Sequence, residues 1–168
     1  MSISLSDISL GTYIQLMSAA SSIIDKAEKV IDTEEIVHMQ LYEDMKPFTF
    51  QAFSIVHHSV GAIEALKTGE FGPPMMPDNL SFGDLKNMIK EAETELKNIN
   101  TSEIDNLSDQ KVIFKMGQIE WPFSSIDFIL SFSLPNFYFH LTTLYDMLRM
   151  KGVEIGKLDF IGQMKLKS

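Results

Sequence analysis

The sequence predicts an all-α fold, an antiparallel four-helix bundle with a long crossover and a short β-hairpin ahead of the last long helix. Three observations carry that expectation. Four stretches repeat their apolar residues at helical spacing, a proline-rich stretch separates the second from the third, and one segment that alternates around Gly117 precedes the fourth. No internal repeat and no second composition class divides residues 1–168, so a single domain is expected.

The first helix is the clearest. Tyr13, Leu16, Met17, Ala20, Ile23, Ile24, Ala27, Val30 and Ile31 form one continuous stripe. Asp32-Thr33 breaks it, and Ile36 stands where a capping box opened by Thr33 would need Glu or Gln, so a short turn and an irregular link are expected up to Met45. A second helix is expected from Pro47 to Lys67, with proline tolerated in its first turn and Gly69 placed just past its end. Its apolar residues cover more than one face, as in a buried helix. The stretch from Gly69 to Pro77 holds three of the six prolines and reads as the crossover.

Ser81 and Asp84 then form a capping box at the head of a third helix, with Leu80 placed to staple against Leu85. The stripe Phe82, Leu85, Met88, Ile89, Ala92, Leu96 and Ile99 faces the core, and the helix is expected to end near Asn100. Lys111 to Met116 and Gln118 to Phe123 alternate apolar and polar residues about Gly117, which predicts a hairpin. Ser124 or Ser125 opens the fourth helix, running to Lys151, in which Pro135 removes a hydrogen bond and is expected to bend the axis. Gly152 stops it, and the segment Gly156 to Gly162 is expected to dock back before Lys165 and Lys167 fray.

Composition narrows the function. The 168 residues carry 14 Lys and Arg against 23 Asp and Glu, a net charge of −9, and Arg149 is the single arginine. Such a chain cannot neutralise a run of phosphates, so no nucleic-acid partner is expected. The absence of cysteine removes disulfides, zinc-thiolate sites and thiol nucleophiles, and suits a reducing, cytoplasmic setting. No charged leader precedes Lys26, and the longest apolar stretch, Ile126 to Leu148, is interrupted by Asp127, Asn136, His140 and Asp146, so no membrane span is expected. The eleven methionines read as gap-fillers between helices. There is no GxSxG elbow, glycine-rich phosphate loop or HExxH helix, and the acidic pairs and runs read as solvated surface.

Polar residues on apolar helices are therefore the candidates for chemistry. At about 100° per residue, Ser133, Asn136, His140 and Thr143 share a stripe of the fourth helix, whereas Asp127 and Asp146 lie well away from His140. On the second helix Gln51, Ser54 and His58 recur at steps of three and four. If the two seams face each other, His58 and His140 converge. His57 lies about 100° from His58 and is expected to serve elsewhere, and His38 to lie on the surface. A neutral imidazole pair is a good donor set for a first-row metal, with Asn136 the nearby third donor. The same spacing also suits a buried hydrogen-bonded network of His58, His140, Asn136, Gln51 and Ser54 with ordered water.

The segments Asp44-Met45-Lys46-Pro47-Phe48, His58 to Gly61, Leu134-Pro135-Asn136-Phe137-Tyr138-Phe139-His140-Leu141-Thr142-Thr143 and Gly156-Lys157-Leu158-Asp159-Phe160, with the opening Met1-Ser2-Ile3-Ser4-Leu5, resemble a domain-of-unknown-function branch of the DinB/YfiT-like superfamily. The resemblance implies a DinB-like four-helix bundle, commonly a homodimer. It also implies a divalent metal held by one histidine of the second helix and an HxxxH pair of the last. By position His58 and His140 match two of these histidines, while Asn136 stands in place of the third and makes the implied site a degenerate one. Ser131 occupies a position where many close relatives have histidine, but it lies about 180° from His140 on an ideal helix.

Two functions follow as expectations. One is a metal-dependent enzyme of thiol-dependent transferase or hydrolase type, in which His58, His140 and Asn136 hold Ni, Zn, Fe or Mn, and Gln51, Ser54, Ser133 and Thr143 contact substrate. The other is a metal-free dimeric module that binds a small ligand or a partner, with no cofactor.

Overall fold

The computed structural model describes residues 3–166. It is mostly helical with a small three-stranded sheet. In chain order the elements are α1 (Leu5–Ile8), α2 (Leu10–Ala27), α3 (Thr33–Ile36) and α4 (Phe48–Val56), a π-helical turn at His57–Gly61, then α5 (Ala62–Thr68) and β1 (Glu70–Phe71). There follow α6 (Phe82–Asn98), α7 (Thr101–Asp105), β2 (Lys111–Met116), β3 (Ile119–Ser124) and α8 (Ser125–Asp127), a second π-helical segment at Phe128–Ser133, α9 (Leu134–Met150) and α10 (Lys157–Ile161).

The ends of these helices follow their capping residues. Ser81 and Asp84 form the expected reciprocal box at the head of α6. Asp32, rather than Thr33, caps α3 by accepting from the amides of Glu34 and Glu35. The fourth long helix opens on Ser124, whose side chain accepts from the Asp127 amide. Gly69 closes α5 at φ 79°, a left-handed conformation that glycine enters at no steric cost.

Several sequence expectations need correction. The first helix begins earlier and ends earlier than its stripe, as α2, with the short α1 ahead of it. The second helix is continuous only through its π turn, and the fourth passes through the second π segment immediately before Pro135. A proline has no amide to donate, and the wider segment ahead of it rearranges the backbone pairing there. Part of the crossover is the strand β1, paired parallel with β2 through Phe71 and Phe114, so the antiparallel β2–β3 hairpin is one edge of a sheet ordered β1-β2-β3. The all-α expectation thus becomes a mostly helical fold with a mixed sheet. The helix α7, capped by Asn100, follows directly where the third long helix is expected to end.

One hydrophobic cluster runs through the molecule. The stripe of α2 packs on α6, α4 packs on both α6 and α9, and α10 docks on α2 as expected, with Lys26 paired to Asp159 and the Gln15 amide donating to the Ile161 carbonyl. Lys167 lies outside the described residues. Tyr13, Phe48, Phe128 and Phe137 are among the largest fully buried side chains. Among the described residues no helix is long and apolar enough to cross a membrane.

Candidate functional site

The two polar seams face each other where α4 and its π turn meet α9. A cleft of about 200 Å³ opens there, lined by Ser54, His57 and His58 from one side and Phe132, Asn136 and His140 from the other. Phe50, the β1-to-loop segment Phe71-Gly72-Pro73-Pro74, and Phe114 and Met116 of β2 complete the wall. The imidazoles of His58 and His140 are nearly parallel, 18° apart in plane, with centroids separated by 5.9 Å. A larger cleft of about 290 Å³, between α3 and the head of α6, contains His38 and Glu34 but no buried polar atom that lacks a partner. His38 itself is exposed, as expected.

The protonation of His140 follows from a chain of bonds. The Lys46 carbonyl can only accept, so the Gln51 amide nitrogen faces it at 2.9 Å. The Gln51 oxygen then faces His140 Nδ1 at 2.7 Å, which makes Nδ1 the protonated nitrogen and leaves Nε2 with a free lone pair. Outer bonds of this kind fix the orientation and tautomer of metal-ligating histidines, and also of histidines that accept from an organic ligand.

His58 is different. Among the described residues the buried side-chain polar atoms without a hydrogen bond are Asp25 Oδ1, Ser54 Oγ and His58 Nδ1. Asp25 Oδ1 lies 3.0 Å from both Lys86 and Lys90 and is ion-paired, so the two true orphans both belong to the cleft. Burial pushes His58 down to about 3, with the charges of His57 and His140 acting the same way, and burial followed by His57 pushes His140 down to about 4. Both rings are therefore neutral at physiological pH.

His57 does not diverge from the cleft as a regular helix would make it. In the π turn it stays beside His58, its Nε2 donates to the Gly72 carbonyl at 2.8 Å, and its ring stacks on Phe71 at 4.4 Å. Its role is thus to hold the crossover loop over the site. Burial lowers its pKa, and the bond to Gly72 partly offsets this.

Three expected substrate contacts, Gln51, Ser133 and Thr143, do not line the cleft, and Gln51 is buried with its amide bonded to the Lys46 carbonyl and His140. Ser133 is fully buried beneath the cleft, donating to the His58 carbonyl at 2.8 Å and accepting from the Tyr13 hydroxyl at 2.7 Å. It ties the two π segments directly to each other and, through Tyr13, to α2. Burial keeps the Tyr13 hydroxyl protonated, above the ordinary phenol range. Thr143 is buried one turn further along α9 and donates to the Phe139 carbonyl. Asn136 does reach the cleft, with its amide nitrogen donating to the Phe132 carbonyl at 2.8 Å and its oxygen left as an acceptor.

Phe71 of the aromatic wall lies in the proline-rich stretch after Gly69, which has no periodicity to place its ring. The parallel pairing of β1 with β2 sets Phe71 against His57 and His58 and places Phe114 beside Phe71.

A mostly helical scaffold thus brings two polar seams face to face around an aromatic-walled cleft. The family model described as "Domain of unknown function (DUF1993)" matches residues 5–161, and the chain belongs to that family. Among solved structures, a DinB family member protein from Shewanella denitrificans is similar over 98% of this chain and 95% of that one, with a TM-score of 0.81 and 24% identity. That likeness shows the fold. No functionally curated protein matches the chain.

Proposed function

We propose that this chain is a single DinB-like four-helix-bundle domain, cytoplasmic and homodimeric, whose cleft holds a divalent metal and serves a thiol-dependent transferase or hydrolase type of reaction. The observation that carries this reading is the His140 lone pair, fixed by Gln51 and the Lys46 carbonyl, beside the neutral and partnerless ring of His58. His58 and His140 would be the imidazole ligands and the Asn136 oxygen a weak third. Two imidazoles without a carboxylate suit Ni, Zn or Fe better than Mn. The lining has no carboxylate, and among the described residues no three His, Asp or Glu side chains are grouped to share an ion, so His58, His140 and Asn136 would hold a metal only weakly. A bound ion would supply Lewis acidity to a water or thiol. The chain's own residues orient: Gln51 holds His140, His57 holds the loop over the cleft, and Ser54 faces the space left for substrate.

A second reading is favoured by one observation, the four phenylalanine rings around a cleft without charged side chains. It is a metal-free module that binds a small organic molecule. Metal analysis by mass spectrometry separates the two, on protein purified without tag or chelator and after re-addition of Ni, Zn, Fe and Mn. The metal reading expects roughly one ion per chain, lost in His58→Ala and in His140→Ala while the helical circular dichroism is kept. No uptake under any of these conditions overturns it in favour of the second.

A further inference from the structure

We infer that the organic molecule this cleft takes is small, uncharged and single-ringed, carrying one hydroxyl or comparable group that both donates and accepts a hydrogen bond. The inference rests on the reading of this cleft as the functional site, and it concerns the walls of the cleft rather than the metal.

Size sets the first limit. A cavity of about 150 Å³ lined by apolar side chains admits benzene, and this cleft measures about 200 Å³. One ring with a small substituent fills it. Chemistry sets the second. Phe50, Phe71, Phe114 and Phe132 offer flat apolar faces, which favour an aromatic body through edge and stacked contacts. No Lys, Arg, Asp or Glu lines the space, so a ligand bearing a full charge would shed its water without meeting a carboxylate, ammonium or guanidinium of opposite sign.

The polar atoms set the third limit. Ser54 is fully buried and its Oγ has no partner, although a serine in this position on a helix commonly bonds back to the carbonyl four residues earlier, as Ser59 does. His58 Nδ1, one turn on, is equally unpartnered. Buried polar groups in native structures are paired, so two orphans in one cleft mark where a ligand's polar group sits. His140 Nε2 and the Asn136 oxygen can only accept, while the Ser54 hydroxyl can donate. A hydroxyl on the ligand answers both, donating to an imidazole and accepting from Ser54.

The test is a titration of the full chain, followed by nitrogen–proton NMR shifts, with phenol, toluene, benzoate and benzylammonium at pH 7.5. Each titration is run once with chelator and once with added Zn. The expected result is phenol binding about tenfold tighter than toluene, with shifts centred on residues 54–58 and 136–140, and no binding of the two ions. Ser54→Ala, which removes only the unpartnered hydroxyl and so keeps the fold, should weaken phenol to the level of toluene and leave toluene unchanged. Phenol bound in chelator with no metal uptake sustains this inference and removes the metal reading. Metal uptake with no phenol binding in either condition does the reverse. Equal affinity for phenol and toluene, tighter binding of benzoate, or an unaltered phenol preference in Ser54→Ala would each overturn the inference.

Discussion

His58 couples the site to the stability of the chain. In the unfolded chain it titrates at its ordinary value of 6.5, and in the folded chain at about 3 because burial disfavours the imidazolium. Above pH 6.5 both states are neutral and the folded state is fully favoured. As the pH falls below that value the unfolded chain takes up a proton that the folded chain refuses, so stability is lost progressively down to about pH 3. Between pH 7 and pH 5 the loss from this one residue is on the order of 1–2 kcal/mol. His140 and His57, also shifted down, act in the same direction. Carboxylates remain ionised in both states over most of that interval, which leaves the histidines to dominate it. Urea unfolding at pH 7 and pH 5 should show the loss in the parent chain and a loss smaller by His58's share in His58→Phe. Equal losses in the two proteins would mean that His58 is not desolvated in the folded state.

At the scale of elements, the site depends on how the second long helix ends. Gly69 turns left-handed at φ 79°, its carbonyl accepts from the Ile113 amide at 2.9 Å, and the chain enters β1 with Phe71 facing His57 and His58. A Cβ at Gly69 would meet the Lys111 carbonyl at 3.3 Å in addition to the strain of the backbone conformation. Gly69→Ala should therefore cost about 1 kcal/mol or more in urea unfolding, and it should displace the NMR signals of Phe71 and His57. A cost near zero would show that β1 does not depend on this turn. The long helices, the box at Ser81, the hairpin and the stop at Gly69 are legible in the sequence because each has a local cause, a period or a capping residue. The polar seams are legible for the same reason. Elements of two to five residues, such as β1, α1 and α7, are too short to show a period. The π turns are hidden more deeply. Reading 100° per residue through His57–Gly61 sends His57 away from the cleft. Ser133 keeps the phase of α9 and faces His58, but its hydroxyl is already used by the His58 carbonyl and Tyr13. Thr143 follows α-helical phase but lies one turn beyond His140, with its hydroxyl already used by α9 itself.

At the scale of the whole molecule, charge and apolar exposure pull in opposite directions on self-association. Trp121 of β3, Ile126 of α8, Leu130 of the second π segment, and Tyr138 and Phe139 of α9 are exposed, between 41% and 57%. Single exposed apolar residues are ordinary, whereas a partner surface gathers several large ones. A net charge of −9 on each chain repels a second copy, and salt screens that repulsion with a Debye length that falls from about 14 Å at 0.05 M to about 4 Å at 0.5 M. If the proposed homodimer uses this surface, association should strengthen as salt is raised, the reverse of an interface held by ion pairs. Sedimentation equilibrium across that salt range should show a dimer that tightens with salt. The double variant Leu130→Glu with Phe139→Glu should be monomeric throughout, because it places four further negative charges against apolar faces in the pair. The two side chains are half-exposed, so its helical circular dichroism should match the parent. A dimer that weakens with salt, or one that persists unchanged in the double variant, would place the interface elsewhere on the molecule and leave the hairpin and last helix free around the cleft.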